Sequence, residues 1–193
     1  MICPFARFRQ SPHHDARDTP PRLVLLHYTA TSRLDEAARL LDQRRLSAHF
    51  LVGPRGALVQ MVATRQRAWH AGVSNYRGAT SVNGFSIGIE IVNPGPLHLA
   101  KGCWQGSRRG WNGPVAKLGE AGDWAGYPLR QVLALLGLLH WIGVVHPEAK
   151  GNVCGHEDVA PGRKVDPGPA FPWARLKSAG WPRAPAGAPA YRE

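Results

Sequence analysis

The stretch Arg-Leu-Val-Leu-Leu-His-Tyr at residues 22–28 is a continuous apolar run that ends in a histidine and a tyrosine. A run of this length is typical of a β-strand buried on both faces. A second run, Phe-Ser-Ile-Gly-Ile-Glu-Ile-Val at residues 85–92, predicts another strand, which Asn93-Pro94-Gly95 ends. Two such strands predict a central sheet with other elements packed on both of its faces.

The segments around these strands predict a hairpin and three helices. Apolar residues recur at helical spacing from Leu34 to Leu41, and two apolar segments at 48–53 and 57–62 flank the turn Pro54-Arg55-Gly56. The apolar run at 129–145 is short for a bilayer span, so it predicts a buried helix over 128–144. A short helix is expected at 172–179. We therefore expect an α/β fold, a central mixed β-sheet flanked by helices.

The length of 193 residues predicts a single domain with tails. Residues 1–21 are rich in proline and predict an irregular N-terminal arm, and the domain itself is expected over 22–180. Within it, the Gly- and Trp-rich insert 96–126 predicts a long surface loop, and residues 145–170 predict an irregular segment. Residues 181–193, rich in Ala and Pro, predict a flexible tail.

The charge of the chain is strongly basic but spread out. There are 24 Lys and Arg residues against 13 Asp and Glu residues, a formal net charge of +11. No zinc-finger spacing, basic heptad or aromatic ribonucleoprotein motif accompanies this charge, so nucleic-acid binding stays a minor alternative and no nucleic-acid partner is expected. Three scattered cysteines without a C-x-x-C pair give no disulfide framework.

Three residues suggest a metal site. His27 closes the first strand, where open α/β sheets place ligands. His156 and Asp166 lie in the Gly- and Pro-rich segment 155–168, whose prolines restrict the backbone. Two neutral imidazoles and one carboxylate leave one position open on tetrahedral zinc, as a catalytic site requires. Ordinary turn and capping roles for these residues remain open at this point.

Glu90 is a carboxylate in the middle of an apolar strand. Alternation places it on the face opposite Ile87 and Ile89. Burial would raise its pKa toward the range useful for a general base. The alternative is a solvent-facing residue on a half-exposed sheet.

The segment Gly84-Phe85-Ser86-Ile87-Gly88 matches the G-x-S-x-G motif of serine hydrolases. That motif requires a strand before the serine and a helix after it. Here a loop precedes Ser86 and a strand follows, so the match is interpreted as accidental. A serine esterase stays a minor alternative.

Five segments together resemble the zinc-dependent N-acetylmuramoyl-L-alanine amidases of the amidase-2 family, which are related to phage-lysozyme-type amidases and peptidoglycan recognition proteins. They occur in family order, and the last, with histidine and aspartate ten positions apart and lysine two before the aspartate, is the most specific. The segments are Leu-Leu-His-Tyr-Thr-Ala at 25–30, Ser-Ala-His-Phe-Leu-Val at 47–52, Arg-Ala-Trp-His-Ala-Gly at 67–72, residues 86–95, and residues 155–173.

The resemblance implies a role for each matching residue. His27, His156 and Asp166 would bind Zn²⁺, Glu90 would be the general base for the attacking water, and Lys164 would stabilise the oxyanion. The bond cleaved would be the amide between the lactyl group of N-acetylmuramic acid and L-alanine, in peptidoglycan or muropeptides.

Three further residues match family positions. Trp69 and His70 are expected to line the substrate groove, with packing as a near-equal alternative, and His49 is expected to be structural, hydrogen-bonded to a metal ligand. The insert 96–126 is expected to form a rim over the groove.

Two further expectations concern partners and location. A non-catalytic peptidoglycan-binding module on the same fold is the main alternative to the enzyme. The first residues lack the apolar segment of a signal peptide, so we expect a cytoplasmic protein as synthesised, without membrane insertion, that reaches the wall by another route.

Overall fold

A computed structural model describes residues 1–106 and 110–184. Within these residues the strands are β1 Arg7–Phe8, β2 His14–Ala16, β3 Leu23–Tyr28, β4 Phe50–Val52, β5 Leu58–Gln60, β6 Gln66–Ala68, β7 Asn75–Tyr76, β8 Ala79–Thr80, β9 Ser86–Ile91, β10 Pro96–Ala100, β11 Cys103–Gln105, β12 Val115–Lys117, β13 Asp123–Ala125 and β14 Val153–Gly155. The α-helices are α1 Leu34–Gln43, α2 Leu129–Val145, α3 His156–Val159 and α4 Trp173–Ser178. The predicted α/β class is confirmed.

The central sheet is mixed and has six strands in the order β1-β5-β4-β9-β3-β14. β4, β9, β3 and β14 run parallel to one another, whereas β5 returns antiparallel to β4 as the predicted hairpin. Because the parallel strands share a direction, their carboxyl ends meet at one edge of the sheet. That edge carries the candidate site.

Helix α2 covers one face of the sheet. Alternate residues of the two longest strands, including Leu26, Ile87 and Ile89, pack there against Leu135 and Leu139 of the helix. Each of these side chains is fully buried, which stabilises the fold by about 1.5–3 kcal/mol per residue. The predicted alternation is confirmed, and it leaves the intervening residues of β3 and β9 facing away from α2.

Gln131 ties α2 to the sheet by polar contacts. Its side chain is buried, and its Nε2 donates to the carbonyls of Val52 and Val92 at 3.0 and 2.8 Å. Val92 directly follows β9, so the hydrogen bonds fix the helix against the ends of two neighbouring strands. The apolar run at 129–145 predicts the helix, but it does not predict these two hydrogen bonds of Gln131.

The insert 96–126 differs from the predicted loop, because its described residues form a second, four-stranded sheet in the order β11-β10-β13-β12. Asn93 closes the base of the insert: its Nδ2 donates to the carbonyls of Ala125 and Gly126, and its Oδ1 accepts from the Gly95 N–H at 2.8 Å. The strands are too short for their periodicity to be visible in the sequence.

The two ends of the chain also differ in detail from the sequence-based picture. Residues 1–21 include β1, which extends the central sheet, and β2, which pairs with β6. β14 lies within the segment that was expected to be irregular. Of the expected tail, residues 185–193 lie outside the described residues. Over the described ranges, the structure has no helix long and apolar enough to cross a membrane.

Candidate functional site

Two adjacent parallel strands bring the candidate ligands together. His27 is the penultimate residue of β3, and His156 begins α3 immediately after β14. The register pairs Gly155 with Leu26, so the two histidines leave the sheet edge side by side. Asp166 lies on the loop after α3, which is held back against the helix by a 3.0 Å hydrogen bond from the Glu157 N–H to the Asp166 carbonyl.

The three side chains converge on one point. His27 Nδ1 lies 2.9 Å from His156 Nδ1 and 3.0 Å from Asp166 Oδ2, and the distance from His156 Nδ1 to Asp166 Oδ2 is 3.1 Å. All three residues are buried. Within the part of the chain that the structure describes, these three residues form a group that could hold a metal ion.

The chemistry of these atoms fits a cation. His156 Nε2 lies 2.9 Å from the Ala71 carbonyl, so the ring donates a proton there, and the tautomer with that N–H has its lone pair on Nδ1. Burial lowers the pKa of His27 to about 4, so the His27 imidazole is neutral near pH 7. A lone pair and a carboxylate oxygen that face each other at about 3 Å repel unless a cation lies between them.

Glu90 lies beside the ligands on the neighbouring strand. It pairs with His27 in the register of β9 with β3, so both side chains leave the same face of the sheet. Its Oε2 is buried and has no hydrogen-bond partner among the described residues. Burial, reinforced by the negative charge of Asp166, raises the pKa of Glu90 to about 8. An unpartnered carboxyl oxygen with this pKa is suited to accept and release a proton near neutral pH.

A cavity of about 350 Å³ opens over this group. Besides the candidate ligands and Glu90, its wall carries three positively charged side chains, Arg44, Arg163 and Lys164. The charge of Lys164 opposes the rise in the pKa of Glu90, as expected for an ammonium group near that carboxylate. Arg44 and Arg163 could not be predicted from the sequence, because nothing distinguishes them among the scattered basic residues of the chain.

The structure separates Trp69 from His70. His70 is buried, lines the cavity, and places its Nδ1 3.0 Å from Nε2 of His27. Trp69 packs beside His13 with ring centroids 6.0 Å apart, and it is not among the residues that line this cavity in the described chain. A role of Trp69 in substrate binding stays a prediction.

His49 does not make the expected hydrogen bond to a metal ligand. Its Nδ1 accepts from the Gly88 N–H at 3.0 Å, and its Nε2 lies 3.0 Å from the Gln66 carbonyl. His70 makes the contact with His27 instead. The spacing of residues in the sequence could not predict the contact between His70 and His27, because it depends on how β9 and the segment after β6 pack together.

Ser86 is fully buried at the start of β9. Its hydroxyl donates to the Val82 carbonyl at 2.6 Å, and the residues after it continue as a strand rather than a helix. The geometry of a nucleophile elbow is therefore missing, which agrees with the interpretation of the G-x-S-x-G match as accidental.

The insert contacts the site through one tryptophan. The Trp124 ring packs edge-on against Tyr28, which lines the cavity, with ring centroids 6.3 Å apart. Trp124 also lies so close to Gly168 that a Cβ there would be 2.6 Å from its ring. The insert therefore contacts both the end of β3 and the loop that carries Asp166.

Comparisons with known proteins agree with this geometry. Residues 17–169 match the Amidase_2 family, N-acetylmuramoyl-L-alanine amidase. The 1,6-anhydro-N-acetylmuramyl-L-alanine amidase AmpD of Escherichia coli K12 is 33% identical, over 89% of this chain and 90% of that protein. The N-acetylmuramoyl-L-alanine amidase AmiD of the same strain is 34% identical over 84% of this chain, which spans only 55% of that protein.

A solved structure shows the same fold. The complex of Escherichia coli AmiD with the substrate anhydro-N-acetylmuramic acid-L-Ala-D-gamma-Glu-L-Lys superposes with a TM-score of 0.67. Its sequence is 32% identical over 91% of this chain and 62% of that one. The family match covers most of the chain, and the fold agrees with it. The chain belongs to the N-acetylmuramoyl-L-alanine amidase family, as its sequence motifs predicted.

Proposed function

We propose that this amidase works with zinc held by His27, His156 and Asp166, and that anhydro-muropeptides are among its substrates. The observation that carries the proposal is the convergence of two imidazole nitrogens and a carboxylate oxygen within 3.1 Å of one another. Two histidines and one carboxylate are a ligand set of catalytic zinc sites, which keep a fourth position open.

Zn²⁺, when bound, supplies a Lewis acid that polarises the scissile carbonyl and lowers the pKa of the attacking water. The protein contributes the proton transfers. Glu90, whose Oε2 is free of other partners, takes the proton from the attacking water and returns it to the departing amine of L-alanine. The positive charge of a bound cation favours the ionised form of Glu90, which a base requires.

Lys164 supplies positive charge to the cavity wall. Its backbone N–H bonds the Ala160 carbonyl at 3.0 Å, which fixes the main chain two residues before Asp166. We assign its ammonium group to the negative charge that develops on the carbonyl oxygen in the transition state.

The charge of the cavity wall supports a peptide substrate with free carboxylates. Arg44 and Arg163 line the cavity together with Lys164, and a stem peptide carries carboxylates along its length. The relative AmpD is named for 1,6-anhydro-N-acetylmuramyl-L-alanine, and AmiD was solved with an anhydro-muramyl tripeptide. We propose residues 22–180 as the catalytic unit that binds such compounds, with 1–21 as an N-terminal arm.

The experiment is cleavage of a purified anhydro-muramyl tripeptide followed by mass spectrometry. The expected products are anhydro-N-acetylmuramic acid and a free tripeptide beginning with L-alanine. A chelator should abolish cleavage, and added Zn²⁺ should restore it. His27→Ala should lose both metal and activity, whereas Glu90→Gln should keep the metal and lose activity by about 10²–10⁴-fold.

The alternative of a non-catalytic binding module gives a different result. Such a module would bind the muropeptide or purified sacculi without releasing a peptide, even with Zn²⁺ supplied. Cleavage that survives chelation and His27→Ala would contradict the metal site, and loss of metal in Glu90→Gln would contradict the role assigned to Glu90.

A further inference from the structure

We propose that His70 is a positioning residue which, together with Ser86, fixes the ring nitrogen of His27 that carries the proton. The inference rests on the metal site of the proposed function and adds to it a chain of hydrogen bonds behind the ligand. The chain runs from the Val82 carbonyl through Ser86 and His70 to His27, and every member of it is buried.

The direction of the chain is set at Ser86. Its Oγ lies 2.6 Å from the Val82 carbonyl and 3.3 Å from His70 Nε2. A carbonyl oxygen can only accept, and the hydroxyl has a single proton, so that proton points at Val82. Towards His70, therefore, the Ser86 oxygen can only accept, and His70 carries its proton on Nε2.

The protonated nitrogen of His70 in turn sets the direction of the hydrogen bond between His70 and His27. The ring of His70 is buried, and its two nitrogens face Ser86 and His27 with no carboxylate contact among the described residues, so the ring is neutral and has one N–H. With the proton on Nε2, the Nδ1 atom of His70 is an acceptor, and it lies 3.0 Å from His27 Nε2. His27 must donate from Nε2, which leaves the lone pair of its Nδ1 directed at His156 and Asp166.

This tautomer is the one that metal binding requires. The opposite tautomer would place an N–H where the lone pair is needed, and the ring would have to exchange its proton before it could bind the ion. His156 is fixed in the same sense by the Ala71 carbonyl. Both histidines are therefore prepared for the metal by partners on the far side of their rings.

Close packing holds the ring of His70 in one position. Gly88 lies beneath the ring, and a Cβ at that position would be 2.4 Å from Cγ of His70. The ring meets that of His27 edge-on, at 79° with centroids 5.2 Å apart. The backbone N–H groups of His70 and Ala71 both donate to Oδ1 of Asn83, which holds the segment in register.

Two variants of His70 separate hydrogen bonding from packing. His70→Phe keeps a ring of similar shape but has no acceptor, whereas His70→Asn places an amide oxygen near the position of Nδ1. Zinc affinity is measured by competition with a chromophoric chelator, without substrate. We expect His70→Phe to weaken zinc binding by about 10- to 100-fold and His70→Asn to recover most of that loss.

A second measurement needs no metal. Two-bond ¹H–¹⁵N correlation spectra of ring-labelled, zinc-free protein report which nitrogen of each histidine is protonated. We expect His27 to be protonated on Nε2 in the unsubstituted protein and to populate both tautomers in His70→Phe. Ser86→Ala, which removes only the first acceptor, should shift the proton of His70 towards a mixture.

One control variant and three possible results test the proposal for His70. His98→Phe changes an exposed histidine of β10 that is not among the residues lining the cavity, and it should leave both readouts unchanged. A His27 that carries its proton on Nδ1 in the zinc-free protein would overturn the proposal, and this readout stands even if a variant fails to fold. Unchanged zinc affinity in a folded His70→Phe variant would also overturn it. If His27→Ala leaves zinc affinity intact, the metal site itself is wrong, which is a separate result.

Discussion

Gly88→Ala tests the close packing of the His70 ring against the sheet. The new Cβ would lie 2.4 Å from Cγ, 2.5 Å from Cδ2 and 2.6 Å from Nδ1 of that ring. Non-bonded carbon atoms in good contact are about 3.5–4.0 Å apart, so the ring must move by roughly 1 Å. The substituted strand lies in the middle of the sheet and has little freedom to yield instead.

The displacement has two energetic consequences. Extra volume in a well-packed interior costs about 1–3 kcal/mol. A ring that moves by roughly 1 Å also loses its contacts with His27 at 3.0 Å and Ser86 at 3.3 Å, each worth about 1 kcal/mol. We expect the free energy of unfolding to fall by about 3–5 kcal/mol, which lowers Tm by about 6–20 °C in a chain of this size.

The assay is urea and thermal unfolding of the metal-free protein. Gly137→Ala is the matched control, because Gly137 is exposed in α2 and a Cβ there has no neighbour within 4 Å. Alanine is favoured over glycine inside a helix by about 0.8–1.0 kcal/mol, so this variant should be stabilised. Equal unfolding midpoints for Gly88→Ala and the unsubstituted protein would refute the packing described for His70.

Four further outcomes are expected. Stability of the metal-free protein should fall as pH rises from about 6.5 to 8, because folded Glu90 (pKa about 8) holds a proton that the unfolded chain releases near its ordinary pKa; Glu90→Gln should flatten this fall, and an unchanged slope would contradict it. A chelator should lower Tm by about 5–10 °C if zinc is present at roughly 100 times its Kd. A thiol reagent should modify Cys103 alone in the native protein, since the other two thiols are buried, and all three cysteines should react after unfolding. Gln131→Leu should cost about 1–3 kcal/mol in urea unfolding by leaving a buried carbonyl unpaired, and a neutral effect would mean that water replaces the amide.

The parts of the fold that the sequence predicted are those with a long or regular pattern. β3 and β9 are apolar runs, and α2 is a long apolar segment, so each was placed to within about two residues. β14 has only three residues, one of which is a glycine, and it was not predicted. His156 directly follows it, so this strand places His156 in the site. Strands this short are defined by their partners, and partners distant in sequence leave no local signal.

In the candidate site, too, residues within a sequence motif could be predicted, whereas contacts between distant segments could not. Spacing and family resemblance indicated His27, Glu90, His156 and Asp166, and the structure brings these four residues together. His49 was expected to hydrogen-bond to a metal ligand, but His70 makes that contact with His27. Nothing in the order of residues indicates that the ring of His70 fills the space above Gly88. Contacts between side chains of different strands depend on register, which the sequence did not specify.

The spacing of the ligands along the chain has a consequence for the order of assembly. Asp166 follows His27 by 139 residues, so an ion bound by both closes a loop that contains most of the domain. A growing chain cannot complete the ligand set until Asp166 has been synthesised and β14 has docked on β3. With the proposed ligand set, metal capture would be a late event, and a bound ion would constrain the two ends of the domain as a cross-link does.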